Sequence, residues 1–188
     1  MNKNIVYFKS REEWRNYLLT HFESEKEVWF TFPSKSANEI GVSYNDAVEE
    51  ALCFGWIDGV AGTLDETHQL RRFTPRRKGS PYSRLNIERL IELNSLNLIH
   101  PKLQEEVNEV ISVPFTFPKD IINKIKKDEL AWKNYQSFTD SYKRIRIAYI
   151  DSARKRPAEF EKRLNNFINK TRENKIIIGY GGSDKYYR

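Results

Sequence analysis

The apolar residues of this chain change their spacing once along its length, and that change limits the fold more than any other feature. Short aromatic and β-branched runs read as strands before residue 75, at Glu27–Phe32, Trp56–Leu64 and Thr67–Thr74, while the tail that begins Ile176-Ile-Ile178 is either one short docked strand or frayed. From Pro101 onward nearly every segment repeats its apolar residues at helical spacing. The expected architecture is therefore α+β: a small, mostly antiparallel sheet with helices, followed by an all-helical C-terminal bundle.

Punctuation sharpens this reading. Ser10-Arg-Glu-Glu13 has the form of a capping box, in which the serine oxygen takes the N3 amide and Glu13 reaches back to the cap amide. Trp14, Tyr17, Leu18 and Phe22 follow at helical spacing, with Trp14 expected to be only partly buried. Ser43 to Asp46 is a second cap, ahead of a stripe of Tyr44, Ala47, Val48, Ala51 and Leu52. Gly55 is placed to end that helix in a left-handed conformation. The runs on either side of Asp65-Glu66 read as an antiparallel pair. After Ser83 a helix carries Ile87, Leu90 and Ile91 inward. Asp128, then one of Thr139, Asp140 and Ser141, and finally Pro157 mark later helix starts. Trp29, Trp56 and Trp132 are expected to fill the core.

The domain reading is an α+β domain over residues 1–112, a linker at 113–118 (Val-Pro-Phe-Thr-Phe-Pro), a helical region over 119–178 and a flexible tail at 179–188. A chain of 188 residues can bury roughly 70% of its unfolded surface, so it needs neither a disulfide nor a metal to hold a core. The lone Cys53 excludes an internal disulfide and a zinc ribbon. His21, His68 and His100 are scattered without ligand spacing, so no metal is expected, and no motif calls for a cofactor. No apolar run approaches the ~18 residues of a membrane span, and no signal-type segment follows Met1. The expectation is a soluble, cytoplasmic protein of undetermined oligomeric state.

Charge is unevenly spread. Residues 141–188 carry 13 Lys and Arg against 5 Asp and Glu, while the first 140 carry 19 against 21. The basic excess therefore lies in the C-terminal quarter. Lys143, Arg144, Arg146, Arg154, Lys155, Arg156, Lys162 and Arg163 could neutralise several phosphates of a nucleic acid in a sequence-independent, salt-sensitive way. The alternative is a solvated helical face.

The densest local cluster is Arg71, Arg72, Arg76, Arg77 and Lys78. Guanidinium forks bind phosphate or carboxylate bidentately, and the Gly79–Ser83 stretch that follows leads into a helix whose first amides suit an anion. Arg71 and Arg72, adjacent on a strand, must point to opposite faces. The candidate ligand site comprises Trp56, Asp58, Arg72, Arg76, Arg77, Ser80 and Ser83. The competing reading is a charged edge strand, or arginines paired with Asp58, Glu49 or Glu50. Asp58 could serve as a general base, as an arginine partner, or simply as a turn cap before Gly59. Cys53 sits at a helix C-terminus with no histidine near it in sequence, which favours a packed core thiol over a nucleophile.

The strings EALCFGWIDG at 50–59 and RFTPRRKGSPYSRLN at 72–86 resemble the YdeI/OmpD-associated family, which is named for bacteriocin protection. FPKDIINKIKKDELAWKNYQSF at 117–138 and SYKRIRIAYIDSARKRPAEFEKRL at 141–164 extend the resemblance. The chain departs from the family pattern at Ala158-Glu159-Phe160 and at Pro81-Tyr82. The resemblance implies a bacterial protein of stress or toxin resistance, with no assigned catalytic residues. The functional expectation is thus a small non-enzymatic binding protein with an anionic-ligand site at the arginine cluster. A nucleic-acid-binding module built on the basic C-terminal helices is the alternative, and an enzyme using Asp58 and the arginines is a third class without a recognisable motif.

Overall fold

The computed structural model describes residues 4–179 and 181–187. Two compact units emerge, one formed by residues 1–81 and 90–111, the other by 82–89 and 112–188. The second unit takes eight residues from the middle of the stretch that the sequence assigns to the N-terminal domain.

The first unit holds β1 (Ile5–Val6), α1 (Arg11–His21), β2 (Val28–Pro33), α2 (Tyr44–Cys53), β3 (Trp56–Thr63) and β4 (His68–Pro75). Helix α3 (Arg84–Ser95) contributes its residues from Leu90 on, and α4 (Gln104–Ser112) all but its last. The sheet order is β1-β2-β4-β3. Both β2–β4 and β3–β4 are antiparallel, but β1 runs parallel to β2, so the sheet is mixed. The sequence expectation did not include β1: two residues give no periodicity to read. Edge strand β3 carries a register irregularity between Asp58 and Ala61, a device that blunts an exposed edge.

Local chemistry sets these elements. The Ser10 hydroxyl accepts from the Glu13 amide at 3.2 Å, but the Glu13 carboxylate takes the Lys9 amide at 2.8 Å rather than that of Ser10. Ser43 caps α2 through the Asp46 amide at 3.1 Å. Gly55 ends that region with φ +71°, as its position after the apolar stripe requires. The core of this unit gathers Trp14, Leu18, Val28, Phe30, Val48, Leu52, Trp56 and Phe73, all essentially inaccessible to water. Each such side chain contributes about 1.5–3 kcal/mol by leaving water. Trp14 is fully buried, contrary to expectation: its ring meets Phe30 edge-on at 5.1 Å and its indole N–H donates to the Ala47 carbonyl at 3.0 Å. Trp29 and Trp132 are only half-buried, and Ile91 is exposed.

The second unit holds the start of α3 and helices α5 (Lys119–Lys126), α6 (Glu129–Ser137), α7 (Asp140–Asp151) and α8 (Pro157–Arg172). Asp128 caps α6 by accepting from the Ala131 amide at 2.9 Å, and Thr139 caps α7. Ile121, Ile125, Tyr142, Ile147, Ile150, Leu164 and Phe167 form its core. Leu85 joins Ile145 and Tyr186 in a smaller cluster. Polar anchors accompany it: Glu88, 4% exposed, accepts from Arg84 at 2.6 Å and from Arg144 at 2.6 and 2.9 Å. Where the sequence suggests a flexible tail, residues Ser183–Tyr186 form a single 3-10 turn with Tyr186 buried; Tyr180 and Arg188 lie outside the described residues. No helix among the described residues is long and apolar enough to cross a membrane.

Candidate functional site

The arginine cluster is divided by its own register. On β4, Arg71 pairs with Phe30 of β2 and Arg72 with Trp29, so the two side chains leave the sheet on opposite sides. Arg71 lies over the Tyr44 ring at 5.2 Å and donates to the Gly59 carbonyl at 3.1 Å. Arg72 turns to Glu27, donating from Nε at 2.7 Å. Neither meets Glu49, Glu50 or Asp58. Asp58 instead accepts a 2.6 Å hydrogen bond from the Tyr44 hydroxyl.

Beyond β4 the chain turns back. The Arg76 amide donates to the Gly55 carbonyl at 2.9 Å, tying the loop to the end of α2. The Arg76 guanidinium donates to the Ser80 carbonyl at 2.9 Å and to the Pro81 carbonyl at 3.3 Å, which closes a tight loop around Lys78 and Gly79. The Ser80 hydroxyl is turned inward to the Arg77 carbonyl at 2.8 Å. Ser83 belongs to the second unit, where its hydroxyl accepts from the Asn86 amide at 3.3 Å as a cap of α3. Arg77 and Lys78 are left exposed at the loop's tip.

Of the residues proposed from sequence, Trp56, Arg76 and Arg77 line one cleft of about 310 Å³, together with Lys78. Its floor is apolar: Phe22, Phe54 and Leu103 join Trp56 there. The Trp56 indole N–H is held by the Phe22 carbonyl at 3.0 Å, so the ring is fixed as a wall. Glu23 and Glu106 also line it, and Glu23 is engaged by Lys102 at 2.6 Å. Phe22, Leu103 and Glu106 could not have been found from sequence, because they reach the cleft from α1's end and from the region of α4. Arg72, Asp58 and Ser83 have the separate contacts just described. A second concavity of about 400 Å³ in this unit lies between Tyr44, Arg71, Lys35 and Glu39.

The lone cysteine is not a nucleophile in this fold. Cys53 is fully buried, and burial together with the nearby Glu50 carboxylate pushes its thiol up to about 12, even though Arg15 pulls the other way. Such a thiol stays protonated and inert at neutral pH. No cluster of three potential metal ligands occurs among the described residues.

The basic C-terminal stripe is also largely spent internally. Arg144 is bound by Glu88, Arg154 by Asp120 and Asp151, and Arg163 by Glu159, while Lys143 contacts Asp140. Arg146 is buried. Lys155, Arg156 and Lys162 are exposed to solvent, as is Arg154 despite its two acidic partners.

Residues 6–106 match the family model described as a domain of unknown function, DUF8412. The chain belongs to the DUF8412 family. Trp56, Arg76, Arg77 and Lys78 all lie within the DUF8412 region, as do the strings at 50–59 and 72–86 that prompted the resemblance stated above. Residues 114–174 match a second model, described as bacteriocin-protection, YdeI or OmpD-associated. The resemblance therefore holds for the C-terminal helices. Neither a curated protein nor a solved structure matches the chain significantly.

Proposed function

We propose that this chain is a small, non-enzymatic binding protein of bacterial stress or bacteriocin resistance, taking an anionic ligand in the cleft beside Trp56. The observation that carries the reading is the run Arg76-Arg77-Lys78 on the rim of a cleft with an aromatic floor. A phosphate or carboxylate would meet the cations while an apolar portion of the ligand packs on the half-buried Phe22 and Leu103 beside Trp56, the usual division of labour in a small-molecule site. The C-terminal match to the bacteriocin-protection family supports the biological setting.

The test follows the Trp56 indole N–H resonance, assigned with Trp56→Phe, during titration with pyrophosphate and citrate. Saturable movement is expected, weakened about tenfold in Arg77→Ala/Lys78→Ala, since two exposed charge contacts are together worth ~1–1.5 kcal/mol. A resonance that stays still with both probes, or an affinity unchanged in the double variant, would overturn the reading.

A further inference from the structure

The second unit contains a cleft of about 650 Å³, and its lining has a different character from the one beside Trp56. Three cations face it: Arg146 from α7, and Lys162 and Arg163 from α8. Glu159 is the single carboxylate in the lining, so the formal charge there is three positive against one negative. That carboxylate is already bound to Arg163 Nε at 2.7 Å.

Arg163 is held in place from several sides. Its Nη1 donates to the Tyr149 carbonyl at 2.7 Å, and its guanidinium lies 3.8 Å from the centre of the Tyr149 ring. Arg146 approaches the same ring at 5.0 Å and is only 5% exposed. A cation kept in so little water exerts a stronger field on a nearby anion than a surface lysine does, because less solvent screens it. Its fixed neighbours also reduce the entropy that a ligand would have to remove on binding. Asn166 and Asn169 project from α8 on the same side and supply amides able to donate and accept. Ile177 and Ile178 close the rim with apolar surface.

From this convergence we infer a second binding site in the C-terminal unit, between α7, α8 and the segment 177–179, for a small organic polyanion bearing phosphate or several carboxylates. The charge fixes the class of ligand, and the paired asparagines suit hydroxyl or amide groups on its body. The volume accommodates a molecule well beyond inorganic phosphate, within the range of ordinary small-molecule sites. The site is independent of the one beside Trp56: it shares no residue with it and lies in the other unit.

The experiment is a two-dimensional amide NMR titration of the full chain with citrate and with pyrophosphate. The backbone resonances of Asn166, Asn169, Ile178 and Gly179 are expected to move saturably below about 10 mM probe. Lys162→Glu, an exposed change that leaves the core intact, should weaken that binding at least about fivefold by reversing one contact's sign. Asn166→Ala should weaken it in the same direction, and Arg77→Ala/Lys78→Ala should leave it unchanged. The inference fails if these resonances stay still with both probes. It fails equally if Lys162→Glu binds as tightly as the parent, because the movement would then come from elsewhere.

Discussion

The pair Glu49-Glu50 on α2 offers the strongest quantitative test of how the first unit is held together. Both carboxylates are almost fully buried, with side-chain exposures of 1% and 3%. Glu50 accepts from Arg11 Nε at 2.5 Å and from Arg15 Nη1 at 2.7 Å, so one buried acid is clamped by two cations from α1. Arg11 also reaches Glu49 at 2.8 Å and Asp46 at 3.0 Å. Replacing Arg11 and Arg15 with Met keeps much of their apolar stems and removes the charges, so Glu50 loses both of these partners. Stranding a buried charge typically costs about 3–5 kcal/mol. Here both arginines keep about a third of their side-chain surface in water, 33% and 31%, so part of the attraction was already screened. The expected cost of Arg11→Met/Arg15→Met is therefore about 2–3 kcal/mol at neutral pH. Adding Glu50→Gln to that variant should recover much of the loss, because a neutral amide needs no counter-charge. Urea unfolding of the parent, the arginine double variant, Glu50→Gln and the triple variant closes the cycle, and a coupling of about 1–3 kcal/mol is expected. Costs that simply add to within ~0.5 kcal/mol would refute the clamp.

Two further outcomes follow from other parts of the fold. Gly55→Ala places a side chain at φ +71°, with its Cβ 2.9 Å from Leu103 Cδ1; thermal unfolding should show a loss of about 1–2 kcal/mol, or ~2–8 °C in Tm, and an unchanged Tm would contradict the left-handed turn. In the β3–β4 hairpin, the hydrogen bond from His68 holds the Asp65 carboxyl down at about 2 from its ordinary 3.8, while the same bond raises His68 above 6.5. The histidine's contribution is complete below 6.5 and fades as pH rises through its raised value; the aspartate's is complete above 3.8 and fades as pH falls towards about 2. The pair should thus support the hairpin most between those ordinary values, and a stability profile of Asp65→Asn that stays parallel to the parent below 3.8 and above 6.5 as well would count against it.

How much of this was legible in the sequence depended on range. Caps are local, so Ser10, Ser43, Asp128 and Gly55 announced helix ends within a few residues, and Thr139 was one of three candidates for the cap it proves to be. The burial of Trp14 was hidden because its partners, Ala47 and Phe73, lie far along the chain. Glu49 and Glu50 were named only as candidate partners of the arginines at 71–78, since Arg11, which they meet in the fold, sits 38 and 39 residues away. The arginine run was conspicuous as composition and the opposite facing of Arg71 and Arg72 followed from strand alternation, yet the partner of Arg72 did not, because Glu27 lies 45 residues earlier. The C-terminal basic excess looked like a stripe until Glu88 and Asp120 were seen to answer Arg144 and Arg154. Sequence locates charges, whereas pairing across the fold decides which of them remain available.

The second unit's dependence on residues 82–89 bears on how this protein can be taken apart or passed on. The bacteriocin-protection match spans 114–174, but the piece that packs also includes Leu85 against Ile145 and Glu88 against Arg144. A gene fragment encoding only the matched stretch would carry Arg144 without its acid and Ile145 without its cover. Family boundaries are thus not packing boundaries: the matched segment is shorter than the compact unit, and any exchange of this region between proteins would have to bring an equivalent of α3's first turns with it.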